Sequence, residues 1–559
     1  MGGGVSDLRA AHRAIWPWFG LGIAAILSGV FLRWYQLRPQ VLIDDEWHAI
    51  RKLIGSDALG IATHFGFADY CIPLTLYYRW LYNLGALDEW RMRMPLLLGG
   101  IALLVVAPVL LRRLVAWPTR MLWVGLLAIS PVLVYLSRTA RPYALVAVLG
   151  FVAVVAFHEW QRRDRAGFAW AAIYVVTTFF AGWLHLLSLV FTLWPFAYYG
   201  MRATRDALRT TTRARGTRAL ARLFVLSLAC ALTLALVLAP PLINDWRSMV
   251  AKAGTHEVTL HSLYRGVLMQ LGIADPWVCM LLLALLLVGV WRLARRDLDF
   301  TALVVSMTVV GTAVIALARP AWIDHQAVLV RYTIIALPFL LLFVAEGFVA
   351  VVERLRMPAF GVMFAAAIAL AALYTAGPIP GYLYAPNQFM GAALFQFDYD
   401  PHENPYIQEL QLGPVPPFYL DLAKRPASSV TLIETPYMFN SNFTPDPWYQ
   451  AIHRQKLKFA LASPLCGLGE WDEYPYTATG VRFRNVAQLA DVLNGATYGA
   501  DYLVLRMHPW TLPAGTPRPW PDMVACVAKV TDKLGAPTYR DDQIVVFTLS
   551  GKSSSSTSR

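Results

Sequence analysis

Apolar runs of about membrane-spanning length recur from the N-terminal region to Ala376, and no other feature constrains the fold as strongly. An α-helix needs roughly 20 such residues to cross a hydrocarbon core about 30 Å thick. Inside lipid every backbone N–H and C=O must be bonded within the segment, so these runs become helices. Candidate spans lie near residues 15–35, 94–111, 121–137, 143–157, 167–183, 184–200, 222–241, 275–291, 301–318, 332–350 and 358–376, about eleven in all. The fifth and sixth are nearly continuous and require a turn around Gly182-Trp183. Only 15% of the residues are charged, against about 25% in soluble domains. The expectation is a polytopic α-helical membrane protein.

The loops between these runs alternate in charge. One set holds Arg112, Arg113 and Arg120, then Arg162, Arg163 and Arg165, then seven arginines between 202 and 222. It continues with Arg292, Arg295 and Arg296, then Arg354 and Arg356, and the N-terminus adds Arg9 and Arg13. With eleven helices all of these fall on one side, which the positive-inside rule makes cytoplasmic. A formal charge of +13 would suit nucleic acid, but topology accounts for it, and nucleic acid is rejected as a partner. Residues 10–30 are long enough to span, and Arg33 and Trp34 follow without a small-residue cleavage site, so no cleavable signal peptide is read. The opposite side is external, periplasmic in a bacterium. It receives loop 36–93, turn 138–142, loop 242–274, loop 319–331 and everything after Ala376. The predicted location is a bacterial inner membrane, with the N-terminus cytoplasmic.

Residues 1–376 thus form the membrane part. Prolines and asparagines across 377–404 mark a linker. Residues 405–550 read as an external α/β domain: a strand at 430–434, a helix at 485–494, a strand at 502–505, a helix at 522–534 and a hairpin over 538–549 turning at Asp541-Asp542. The Ser-rich tail 551–559 reads as disordered. Cys466 and Cys526 are the two cysteines of this domain and can pair in an oxidising compartment. No C-x-x-C motif is present, and the remaining cysteines read as packing residues.

The acidic run Asp44-Asp45-Glu46, followed by Trp47 and His48, stands just after the first span. Carboxylates beside a membrane segment are costly. One of them can cap a helix running through Trp47, Ile50 and Leu53, but a cap needs one carboxylate, not three. The other reading is a general base, or ligands for a metal or a cationic group. The turn Ser137-Arg138-Thr139-Ala140-Arg141-Pro142-Tyr143 places two arginines on the external face, against the positive-inside trend. They suit an anionic partner or a salt bridge to the acidic run. Asp324 and His325 lead to Arg331-Tyr332, which suits a lipid phosphate or an interfacial anchor. Lys252, His256, Glu257, His261 and Arg265 read as a solvated loop. The histidines show no H-E-x-x-H spacing, which argues against a zinc site.

In this order the motifs resemble those of the GT-C glycosyltransferases, in the branch of protein O-mannosyltransferases and lipid A aminoarabinose transferases. Asp45-Glu46 matches the Asp-Glu pair after the first span, with Asp44 extra. Pro73-Leu74 with Tyr77-Tyr78 matches a Pro-Leu-x-x-Tyr segment, and Arg93 before Met94-Pro95 matches an Arg leading into the second span. Ser130-Pro131 and residues 137–143 match a Ser-Pro followed by a Ser-Arg-Glu-Ala-Arg-x-Tyr-like turn. Arg331-Tyr332 with Pro338 matches a late Arg-Tyr. Thr139 departs from the pattern, standing where that turn often carries an acid.

The resemblance implies an enzyme that moves a sugar from a polyprenyl-phosphate donor to an acceptor hydroxyl on glycan, lipid or protein, with inversion. It implies Asp45, or Asp44, as general base with Glu46 positioning. It implies Arg141, Arg331 and Arg138, with Tyr332, at the donor phosphate, and His48, Arg93, Tyr143 and His325 as substrate contacts. No cofactor is demanded; Asp44, Asp45 and Glu46 permit a divalent metal without requiring one. Two other classes stay open. A transporter or flippase of lipid-linked sugars would be marked by internal repeats and midplane charges, of which no clear repeat is read. A membrane scaffold with an external binding domain would not need the acidic run.

Overall fold

The computed structural model describes residues 3–38, 40, 42, 46–65, 71–163, 167–273, 275–380, 414–437, 446–462, 465–466, 483–484, 486–496, 498–508 and 520–549. It divides into two compact units. One comprises residues 1–35, 56–79 and 93–379; the other comprises 36–55, 80–92 and 380–559.

The first, helical unit carries α1 (Gly3–Trp34), most of α3 (Ala58–Ala62) to α5 (Glu89–Leu110), and all that follows to Ala376; α2 (Glu46–Gly55) belongs to the second unit. The later helices are α6 (Trp117–Ile129), α7 (Pro131–Ser137), α8 (Tyr143–Arg162), α9 (Gly167–Leu184), α10 (Ser188–Thr192), α11 (Trp194–Leu208) and α12 (Arg213–Ala251). Then come α13 (Leu260–Leu271), α14 (Pro276–Arg296), α15 (Leu298–Ala318), α16 (Gln326–Tyr332), α17 (Leu337–Arg354) and α18 (Ala359–Ala376); α4 is Ile72–Asn83. Among the described residues seven helices are long and apolar enough to cross a membrane, or nine if each of two bent pairs counts as one span. The protein is a multi-pass membrane protein, and the described residues do not confirm the expected count of about eleven; the apolar Trp18–Trp34 stands outside the seven to nine. The expected span at 184–200 is broken: α9 ends at Leu184, two residues past the expected turn, and α10 and α11 are short.

Two other expected spans are bent, each at an identifiable break. α6 and α7 meet at 58° and α16 and α17 at 88°. Pro131 opens α7. With no N–H, it cannot continue the ladder to the carbonyl of Leu127. α14 packs tightly against α17 through glycines on both sides. A methyl at Gly289 would run into the Phe343 carbonyl, and one at Gly347 into that of Leu285. Beside this contact the buried Glu346 of α17 takes Arg292 at 3.1 Å and Arg296 at 2.9 Å from α14. α12 spans 39 residues but breaks at Asp245, whose backbone leaves the helical region just after Pro240 and Pro241; the stretch before the break, about 48 Å at 1.5 Å per residue, still exceeds a hydrocarbon core. Its far end meets the segment after α3: Asn244 donates to the Thr63 carbonyl at 2.9 Å, and His64 lies 3.2 Å from Asp245.

The second unit is built on a six-stranded sheet. Its elements are α19 (Pro417–Ala423), β1 (Thr431–Thr435), α20 (Asp446–His453), β2 (Lys456–Leu461), β3 (Val486–Gln488), α21 (Leu489–Leu493), β4 (Tyr502–Arg506), α22 (Met523–Leu534), β5 (Tyr539–Arg540) and β6 (Ile544–Thr548). The order is β3-β2-β1-β4-β6-β5. The first four strands are parallel, and β6 and β5 are antiparallel additions. Successive residues face opposite sides. Ile433, Leu503, Leu505, Val545 and Phe547 join α22 in one core, while Leu432, Val504, Ile544 and Val546 join α19 and Tyr449 in the other. Cys466 and Cys526 form a disulfide in the first core, with Cα atoms 4.8 Å apart. The expected helix at 485–494 is half strand: β3 takes its first part because Val486 and Ala487 fill the edge against β2. The tail 551–559 and most of the linker 377–404 lie outside the described residues.

Candidate functional site

In the helical unit the turn after α7 is where local chemistry is densest. Residues 131–140 are all buried, and two buried arginines hold this region together. Arg33, near the end of α1, donates from Nη2 to the Leu127 carbonyl at 3.0 Å and from Nη1 to the Ala128 carbonyl at 3.1 Å. Those carbonyls end α6, and Leu127 is the one that Pro131 leaves without an N–H. Arg138 does the same for α1. Its Nη1 donates to the carbonyls of Leu32 at 3.1 Å, Arg33 at 3.2 Å and Tyr35 at 2.7 Å. Each guanidinium therefore satisfies the open end of the other's neighbourhood. Thr139 is buried and donates to the Tyr135 carbonyl at 3.0 Å, so the position that departs from the family's acid is a hydroxyl turned back on its own helix.

Arg141 and Tyr143 close the turn and open α8. Tyr143 is buried, and three other side chains gather on it. The Arg331 guanidinium, in the last turn of α16, lies 5.5 Å from the Tyr143 ring and 5.5 Å from the Tyr332 ring. The His185 ring lies 5.3 Å from Tyr143 and 5.2 Å from Tyr332. Cations near aromatic faces are attracted by the ring quadrupole. His185 sits in the break between α9 and α10.

His185 was missed as a site residue because it stands inside a nearly continuous apolar stretch. A lone polar side chain in such a run is itself the signal that could have found it. Arg93 is fully buried in α5. His325 is buried and caps α16, its Nδ1 accepting from the Ala327 N–H at 3.2 Å. The solvated loop is partly tied down, with Glu257 paired to Arg319 and His256 stacked on Trp322 at 5.1 Å.

The acidic run belongs to the sheet unit. Glu46 is fully buried in the first turn of α2. Asp44, Asp45 and the side chain of His48 lie outside the described residues. The expected helix through Trp47, Ile50 and Leu53 forms, and all three are buried. Among the described residues no group of three His, Cys, Asp or Glu could hold a metal.

No protein-family model matches the chain, and no curated protein matches it in sequence. Among solved structures it is similar to ArnT from Cupriavidus metallidurans in the apo state, at 14% identity and TM-score 0.46, over 95% of this chain and 97% of that one. It is similar to the same protein bound to undecaprenyl phosphate at 14% identity and TM-score 0.44, over 96% and 98%. It is also similar to the archaeal oligosaccharyltransferase AglB from Archaeoglobus fulgidus, in complex with an inhibitory peptide and a dolichol-phosphate. That likeness has 13% identity and TM-score 0.42, over 88% of this chain and 69% of that one.

Proposed function

We propose that this chain is an inverting glycosyltransferase that moves a sugar from a polyprenyl-phosphate donor to an acceptor hydroxyl at the external face of a bacterial inner membrane. One observation supports the reading above the rest. Arg331, Tyr143, Tyr332 and His185, from three segments far apart in sequence, gather in one cluster, and Arg141 stands two residues before Tyr143. A phosphate monoester anion needs cations, and a lipid-linked donor needs them on a membrane-spanning scaffold.

The chemistry assigns the remaining roles. The acceptor oxygen attacks the anomeric carbon as the bond from that carbon to the phosphate oxygen breaks. The phosphate leaves with the electron pair as a stable anion, so no acid need protonate it, unlike the leaving group of a glycosidase. Arg141 and Arg331 hold that anion. Asp45, with Asp44 as second choice, takes the proton of the acceptor hydroxyl, and Glu46 positions it. Arg138 has a structural share in its bonds to the end of α1. In-line attack inverts the anomeric centre. The Arg-rich loops support a cytoplasmic N-terminus and an external sheet unit by the positive-inside rule.

The test uses purified chain with radiolabelled polyprenyl-phosphate sugars. Wild type transfers label to acceptor, and Asp45→Asn loses transfer while keeping donor binding. Full transfer by that variant overturns the assignment of the base.

A further inference from the structure

The sheet unit contains a contact that the reaction scheme leaves unused. The Tyr437 hydroxyl, just beyond β1, donates to the Leu42 carbonyl at 2.6 Å and accepts from the Trp47 indole N–H at 3.1 Å. The same N–H also lies 3.1 Å from the Leu42 carbonyl. Three polar atoms thus close a triangle, and two of them belong to residues 42 and 47, which bracket the acidic run on either side. Trp47 is 0% exposed and Tyr437 1%, so neither ring meets solvent or lipid. An apolar side chain could fill such a site. An indole and a phenol are useful there only where the N–H and O–H have partners.

Tyr437 is itself fixed to the middle of the sheet. Its backbone N–H donates to the Ala460 carbonyl at 2.8 Å, and its ring packs on Phe459 of β2 at 5.1 Å. Trp47 has a second support in Phe483, edge-on at 5.0 Å. Next to it, the backbone N–H of Arg484 donates to Glu89 at 3.2 Å. Segments 36–55 and 80–92, both early in the chain, are thereby held by a domain that begins hundreds of residues later.

We propose that Tyr437 is a positioning residue for the acidic run, fixing the chain on both sides of Asp44-Asp45-Glu46. This rests on the reading that the run supplies the general base. Proton abstraction requires hydrogen-bond reach and direction, and displacement by about 1 Å can cost on the order of 100-fold in rate. The sheet unit on this account sets the aim of the base, and its loss lowers turnover rather than donor affinity.

The test is steady-state kinetics on full-length chain in detergent. Tyr437→Phe keeps the ring and removes the hydroxyl. The expected result is a fall in kcat of about 10- to 100-fold, with donor KM within about twofold and the acidic limb of the kcat pH profile displaced. Trp47→Phe should behave alike, and the double variant should lose less than the two single losses combined, since both act on one contact. An unchanged kcat and pH profile in Tyr437→Phe, with Asp45→Asn inactive, overturns the positioning role and leaves the base assignment standing. Loss of activity that only tracks the fraction of folded protein, with the pH profile unmoved, also overturns it. Full activity in Asp45→Asn overturns the underlying reading, and the proposal with it.

Discussion

Helix α8 begins and ends among arginines, and the two settings differ. At its last turn Arg162 pairs with Asp297 at 2.8 Å, and His158 bridges Tyr199 at 2.7 Å and Asp297 at 3.3 Å. Arg202 pairs with Asp299 near by, and Arg292 and Arg296 share Glu346. At its first turn, about 30 Å away, Arg331 lies against the rings of Tyr143 and Tyr332, with His185 between them. A cation with a built-in carboxylate is already neutralised and serves packing. A cation set among aromatic faces is also held by the ring quadrupole, a setting in which a guanidinium can stack and still direct its N–H groups elsewhere. Arg33 and Arg138 show a third use, in which guanidinium groups satisfy the carbonyls of helix ends.

Substitutions can break or sharpen this contrast. The largest effect is expected at Arg138. Arg138→Ala leaves the buried carbonyls of Leu32 and Arg33 and the part-buried one of Tyr35 without that donor, at a cost of about 3 kcal/mol or more. Its yield of folded protein and its thermal midpoint should fall together, and a stable variant would show that those bonds are dispensable. Arg331→Ala should instead retain its melting behaviour and bind polyprenyl phosphate about 10- to 100-fold more weakly. Equal affinity, measured by equilibrium binding in detergent, would make it an anchor. Arg162→Ala, at the half-exposed end of its pair, should change stability by about 1 kcal/mol or less and leave donor affinity alone.

The smallest effect is one of pH. Burial raises the Asp297 carboxyl, but the bond from His158, the Phe300 N–H and Arg162 outweigh it and hold the group down to about 2. A carboxyl with a depressed folded value adds stability that is full above its usual value near 3.9 and is lost as pH falls through about 2. The difference in melting temperature between wild type and Asp297→Asn should therefore be constant above pH 4 and shrink below it. A difference that grows on acidification would contradict the pairing.

Much of this was legible in the sequence, for local reasons. Apolar length marks helices such as α8, α14, α15 and α18, short apolar runs mark β1 and β4, and the Asp541-Asp542 turn marks the β5–β6 hairpin. The breaks were harder to read. Pro131 could be seen, but not that Arg33, almost a hundred residues earlier, answers the carbonyl it frees. The short α10 and α11 hid behind continuous hydrophobicity. In the site, Tyr143 and Arg331-Tyr332 were legible from motif order, whereas His185 and the Tyr437–Trp47 contact were not. Both depend on which distant segment folds against them, and a linear pattern carries no such information. The charge of Arg138 was visible in the sequence, and its carbonyl partners at the end of α1 were not.

On the proposed function, the aromatic end of α8 receives the lipid phosphate. A polyprenyl phosphate bearing a photoreactive group beside the phosphate, crosslinked to purified chain and mapped by mass spectrometry, tests it most directly. The account predicts label on Tyr143, His185 or Tyr332, competed by unmodified lipid and lost in Arg331→Ala. Competable label confined to the other end of α8, around Arg162 and Arg202, would contradict it.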